Sequence, residues 1–74
     1  MITIRNEKFV KFTSNGKSEV VAELDVDTAS ELPTADGLTN RRLHQGSAAL
    51  IISEGRVAVF GSNGSWYADG EVIS

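Results

Sequence analysis

Ser47-Ala48-Ala49-Leu50-Ile51-Ile52-Ser53-Glu54-Gly55-Arg56-Val57-Ala58-Val59-Phe60-Gly61-Ser62-Asn63-Gly64-Ser65-Trp66-Tyr67-Ala68 alternates short apolar blocks with glycine-bearing reversals. Each block has the length and the β-branched or aromatic content of a strand, and none is long enough for a packed helix. Glu54-Gly55 and Ser62-Asn63-Gly64 supply the tight turns, which makes this part a three-stranded antiparallel meander. A further break at Asp69-Gly70 leaves Glu71-Val72-Ile73 to resume the pattern.

Upstream, Val20, Ala22, Leu24 and Val26 alternate with Val21, Glu23, Asp25 and Asp27. Period two with one acidic face reads as a half-buried strand. Ser14-Asn15-Gly16-Lys17 precedes it, and Asn15-Gly16 suits the positive φ angles of a primed hairpin turn. Before that turn, Phe9-Val10-Lys11-Phe12 reads as one strand and Ile2 and Ile4 as another, separated by a turn at Asn6-Glu7. Thr28-Ala29-Ser30-Glu31-Leu32-Pro33 has the form of one helical turn, capped by Asp27 or Thr28 and stopped by Pro33. Residues 34–46 read as a loop, with room for a brief helix over 40–45. The expected fold is all-β with one short helical turn. Its five to six short strands form an antiparallel meander sheet or a barrel-like sandwich.

Seventy-four residues and 7.9 kDa make one small domain over residues 1–74. A chain of that mass buries only about 60% of its unfolded surface, so the core is thin. Cysteine is absent, which excludes disulfides, thiolate zinc sites, thiol nucleophiles and iron–sulfur clusters. The longest apolar run, Ala48 to Ile52, is far short of the roughly 20 residues of a membrane helix. The N-terminus lacks the basic-then-apolar pattern of a cleaved signal peptide. With 41% hydrophobic residues and a net charge of −3, the chain has enough apolar surface to collapse into a soluble globule.

Charge is segregated. Residues 1–18 carry +3, residues 19–37 carry −6, and the remainder is balanced. An acidic chain without clustered Lys and Arg is a poor nucleic-acid binder. The opposed segments can instead pair across strands or between subunits.

Candidates for chemistry are few. His44, the single histidine, has no nucleophile elbow or triad spacing around it, and reads as a surface or packing residue. Asp25 to Ser30 lacks the glycine of a calcium loop, so no metal site is expected. Gly61 to Gly64 lacks the lysine of a phosphate-binding loop, and no cofactor is implied. Trp66 and Tyr67 are strand neighbours and face opposite sides, so at least one points outward as a sugar-stacking platform or interface anchor. The alternative for Trp66 is closure of the core with Phe60, Phe9 and Phe12. Asn63 and Asp69 are polar neighbours for a ligand, and Arg41-Arg42 forms either a small anion site or a solvated pair.

Leu24-Asp25-Val26-Asp27-Thr28, Glu31-Leu32-Pro33-Thr34 and Asp36-Gly37-Leu38 resemble small phage and prophage structural proteins of the head-fibre type. Gly46-Ser47 entering the strand to Ile52, the reversal Glu54-Gly55-Arg56-Val57, and Ser62-Asn63-Gly64-Ser65-Trp66 continue the likeness, which covers about residues 24–67. Two features differ from that pattern: Ala58 stands where a tyrosine is frequent, and the loop from Thr39 to Gln45 is longer. The resemblance implies a non-catalytic virion structural or attachment protein, located in the particle or in the host bacterial cytoplasm when expressed from a prophage. The implied partners are a capsid or tail protein and identical copies, with no nucleic acid and no membrane. The rival expectation is a carbohydrate-binding module that stacks Trp66 or Tyr67 on a glycan.

Overall fold

The structure, a computed structural model, describes residues 2–14 and 16–74. Among these residues seven strands follow one another: β1 Ile2–Phe12, β2 Ser18–Val26, β3 Arg41–Leu43, β4 Ala48–Ile51, β5 Arg56–Phe60, β6 Trp66–Ala68 and β7 Glu71–Val72. A 3-10 turn, Ala29–Glu31, lies between β2 and β3. All strands belong to one sheet, ordered β1-β2-β4-β5-β6-β7, with β3 beside the first part of β2. The all-β expectation holds, including the short helical turn. The sheet is open, however, so there is no barrel.

The meander is interrupted by a parallel step. β4 pairs with β2 in parallel, Glu23 opposite Ala48 and Val26 opposite Ile51, and β3 does the same at Ser18 to Val20. Parallel neighbours require a crossover of a dozen or more residues. Residues 27–47 provide it, crossing one face of the sheet before re-entering. The expected brief helix over 40–45 is therefore a strand, because β4 begins only opposite Glu23 and leaves the edge of Ser18 to Val20 open for Arg41–Leu43.

Ser47 closes the break between β3 and β4. Val20 O and Val26 O accept from His44 N and Ile52 N, which places the even-numbered peptide groups of β2 on this edge. Ala22 then meets neither strand. Its N–H donates to Ser47 Oγ at 3.1 Å, and the same hydroxyl donates to His44 O at 2.8 Å. Ser47 is fully buried, the one polar residue in the buried set among the described residues.

The crossover also covers the core. Leu32 is buried, and Ala29, Ala35 and Leu38 pack against the inward side chains of β2, β4, β5 and β6. Trp66 anchors the cover, its Nε1–H donating to Pro33 O at 2.8 Å while its ring lies 5.0 Å from that of Phe60. Phe9 and Phe12 do not join them. They remain 53% and 70% exposed and contact each other edge to face at 4.9 Å. They lie at the hairpin end of β1, opposite Val20 and Ser18 at the start of β2.

β1 is continuous where a turn at Asn6-Glu7 was expected. The extra residues are absorbed as register shifts between Ile4 and Asn6 and between Phe9 and Lys11. Two hairpins use the same tripeptide, Ser-Asn-Gly. Thr13 N donates to Lys17 O and Gly16 N to Thr13 O; Gly61 N donates to Ser65 O and Gly64 N to Gly61 O. Gly16 and Gly64 hold φ of 84° and 85°. At residues 62–64 this is a three-residue loop ending in a left-handed glycine. The primed turn expected at Asn15-Gly16 involves Asn15, which lies outside the described residues. At the 3-10 turn, Thr28 gives no side-chain cap, and the Glu31 carboxylate accepts the Asp27 N–H at 2.8 Å.

Candidate functional site

The register determines what the uncovered side of the sheet presents. Because Leu24, Ala49, Ala58 and Trp66 point inward, the alternate residues point out. One outward row runs Glu23, Ala48, Val59, Tyr67, Val72, and a second runs Asp25, Leu50, Val57. Across β4 to β7 every outward residue is apolar or aromatic, and none is charged. Val57, Val59 and Val72 are 53%, 46% and 59% exposed. An antiparallel sheet facing water normally alternates apolar-in with polar-out, and these four strands depart from that pattern.

The sheet edges are guarded. The free edge of β1 carries two bulges together with Arg5, Lys8 and Lys11, and β7 is two residues long. Bulges, cations and short strands are the devices that prevent edge-to-edge pairing.

Of the residues singled out in the sequence, Trp66 is buried and belongs to the core, which leaves Tyr67 as the outward aromatic. Its ring lies flat over Gly61, where an added Cβ would fall 2.8 Å from Tyr67 Cε1. Asn63 Nδ2–H donates to the Tyr67 hydroxyl at 2.7 Å, and Asn63 Oδ1 accepts from Ser65 N at 3.2 Å. Asn63 thus braces the turn and the ring. Asp69 occupies the β6–β7 turn at φ 54°, mostly exposed and 3.6 Å from Arg56. Arg41 and Arg42 do not make a joint anion site, because strand neighbours face opposite sides. Arg41 Nε donates to Glu7 of β1 at 2.5 Å, and Arg42 Nη1 to Asp36 at 2.5 Å. The segregated charges pair within the chain, as Arg5 with Asp25 at 3.1 Å and Lys17 with Asp36 at 3.6 Å also show.

A second feature, which the sequence did not expose, is a shallow cleft of about 320 Å³ between Glu19, Arg42, His44 and Gln45 on one side and residues 61–64 on the other. His44 Nδ1 lies 2.6 Å from Glu19 Oε2, and Glu19 Oε1 lies 3.9 Å from Arg42. Lys17, Asp36, Arg42 and Glu19 form a chain of alternating sign across β2, the crossover and β3, and His44 is hydrogen-bonded to its Glu19 end. The Arg42 hydrogen bond, supported by the positive charge of Arg42 and Lys17, holds the Asp36 carboxyl below its ordinary value of 3.8. The serine nearest to His44 in sequence, Ser47, is committed to Ala22 and to the His44 carbonyl and is sealed from the cleft. His44 and Glu19 are 25 positions apart, and only the parallel β2–β3 pairing brings them together.

Among the described residues no group of three His, Cys, Asp or Glu side chains could hold a metal ion, and no helix is long and apolar enough to cross a membrane. No protein-family model, curated protein or solved structure matches the chain.

Proposed function

We propose that this chain is a non-catalytic docking module, a phage or prophage virion component that buries the outward face of β4 to β7 against another protein. The observation behind this reading is the uncharged outward surface: Ala48, Leu50, Val57, Val59, Tyr67 and Val72 spread over four adjacent strands. Exposed apolar patches of this kind on small domains mark interaction surfaces. The guarded edges support face docking, and the cleft charges, already paired with one another, support a structural use of His44 and Glu19. The likeness of residues 24–67 to head-fibre proteins supplies the virion context and the class of partner, a capsid or tail protein.

Particle composition tests this. Phage particles purified by density gradient from a strain expressing the chain are expected to retain it through washing, and a Val59→Lys variant is expected to remain in the soluble fraction. Particles that lack the wild-type chain, or that retain the lysine variant equally, would refute the docking reading.

A further inference from the structure

We infer that Asn63 is a latent modification site: the Asn63-Gly64 pair undergoes intramolecular deamidation, and the folded β5–β6 turn holds it as the amide through the Tyr67 hydroxyl and the Ser65 N–H. The inference is independent of the docking reading above.

The reaction needs only neighbouring atoms and water. The Gly64 nitrogen gives up its proton and attacks the Asn63 Cγ. A new C–N bond forms, the Cγ–Nδ2 bond breaks, and the amide nitrogen leaves as ammonia. Water then opens the resulting succinimide at either carbonyl. One opening gives aspartate; the other routes the backbone through the side chain and gives isoaspartate. Glycine at the second position favours the attack because it sets no side chain beside the nitrogen. At Gly64, φ is 85° and no atom beyond the chain neighbours lies within 4 Å of where a Cβ would stand. Asn63 and Gly64 are both exposed, so water reaches the ring.

The folded turn engages each group that must react. Gly64 N–H, the source of the nucleophile, donates to Gly61 O at 3.1 Å. Asn63 Oδ1 accepts from Ser65 N at 3.2 Å, and Nδ2, the leaving group, donates to the Tyr67 hydroxyl at 2.7 Å. Attack turns Cγ from planar to tetrahedral and moves both side-chain atoms out of line with these partners. Hydrogen bonds made to the planar amide and weakened on the way to reaction raise the barrier. Tyr67 acts here as a positioning residue. Its ring lies over Gly61, and a Cβ at 61 would fall 2.8 Å from Cε1 and push the hydroxyl away from Asn63. Because Tyr67 stands in the outward row between Val59 and Val72, conversion sets a carboxylate at the border of the uncharged field.

The full chain, incubated in mildly alkaline buffer with and without urea, tests this by ammonia release and peptide mass mapping. Asp36-Gly37 and Asp69-Gly70 isomerise without losing ammonia, and mapping separates Asn63 from Asn15, the other asparagine followed by glycine. Asn63 is expected to convert at least about fivefold more slowly in the folded chain than in urea, as loss of the Tyr67 and Ser65 hydrogen bonds implies. Tyr67→Phe, verified as folded by its far-UV spectrum, is expected to convert about 2- to 10-fold faster than wild type. In urea the two should convert at one rate. Gly61→Ala, which displaces the ring, serves the same purpose should the first variant fail to fold. Ser47→Ala loosens the sheet elsewhere and is expected to leave the folded rate unchanged. Equal rates for wild type with and without urea, or an unchanged rate in the folded ring variant, would overturn the inference. So would a Ser47→Ala protein that converts as fast as Tyr67→Phe, since protection would then belong to the whole fold and not to the turn.

Discussion

Replacing Ser47 with alanine removes one oxygen from a site with no access to solvent. That oxygen accepts the Ala22 N–H at 3.1 Å and donates to His44 O at 2.8 Å. Alanine fills nearly the same volume, so the packing change is slight and the loss falls on hydrogen bonding. A buried N–H left without an acceptor costs about 1–3 kcal/mol. The His44 carbonyl keeps the backbone N–H of residue 47 as a donor at 3.2 Å, so the loss falls mainly on the Ala22 N–H and a total near 2 kcal/mol is expected. A domain of this length has about 4–11 kcal/mol to lose, and the melting temperature should fall by roughly 8–16 °C. Urea denaturation followed by circular dichroism gives the free energy, with the exposed Ser53→Ala as control. Amide exchange gives the location: the Ala22 N–H should lose protection well beyond that of Leu24, which lies beside β4. A Ser47→Ala protein within about 0.5 kcal/mol of wild type, with Ala22 protection unchanged, would show that the hydroxyl does not bridge the two short strands.

Two further outcomes follow from the same geometry. Trp66→Phe removes the donor to Pro33 O and part of a fully enclosed ring, and should cost about 2–4 kcal/mol in urea unfolding; wild-type emission should be blue-shifted when folded and move to the red on unfolding. Asp36→Asn tests the ion pair with Arg42. A carboxyl held below 3.8 by Arg42 adds stability that is present above that value and disappears as pH falls through the lower folded value. The variant should therefore melt slightly below wild type at neutral pH, with the difference closing as pH falls through that lowered folded value; a difference independent of pH would contradict the pairing.

The sequence carried the local geometry and concealed the long-range pairing. Val20 to Val26 announces its inward face by alternation alone, and the glycine turns mark each reversal because left-handed backbone leaves few other choices. Asp69-Gly70 forms the β6–β7 turn with both residues at positive φ, as its dipeptide suggests. The parallel step is a different matter. Strand order depends on which edge of β2 remains free after β1 has paired, and no residue of the crossover encodes that choice locally. Arg41-Arg42-Leu43 is too short to show a period, so it was indistinguishable from a helical fragment. The register shifts in β1 leave no glycine or proline behind them, and Asn6-Glu7 therefore resembled a turn. For the candidate site, Tyr67 was legible from strand alternation, whereas the outward apolar face needed the register of four strands. The Glu19–His44 contact needed the parallel pairing.

The division of β2 between two short partners explains why the face, and not the cleft, is the place to look for a partner. To pass from β3 to β4 the chain leaves the sheet at His44 and returns at Ser47. That excursion lifts His44 over Glu19 and opens the space against residues 61–64. The cleft is thus a geometric consequence of the strand change, and its charges are neutralised by one another. The outward face has no such origin. Nothing in the pairing of β4 to β7 requires valine at 57, 59 and 72, because strands with one dry face tolerate polar residues on the other. Three exposed valines therefore cost solubility without adding to the core, a cost offset once another surface covers them. The two features can be separated experimentally: Ser47→Ala loosens the strand change and should leave particle retention intact wherever the protein remains folded, whereas Val59→Lys should abolish retention and leave Ala22 exchange untouched.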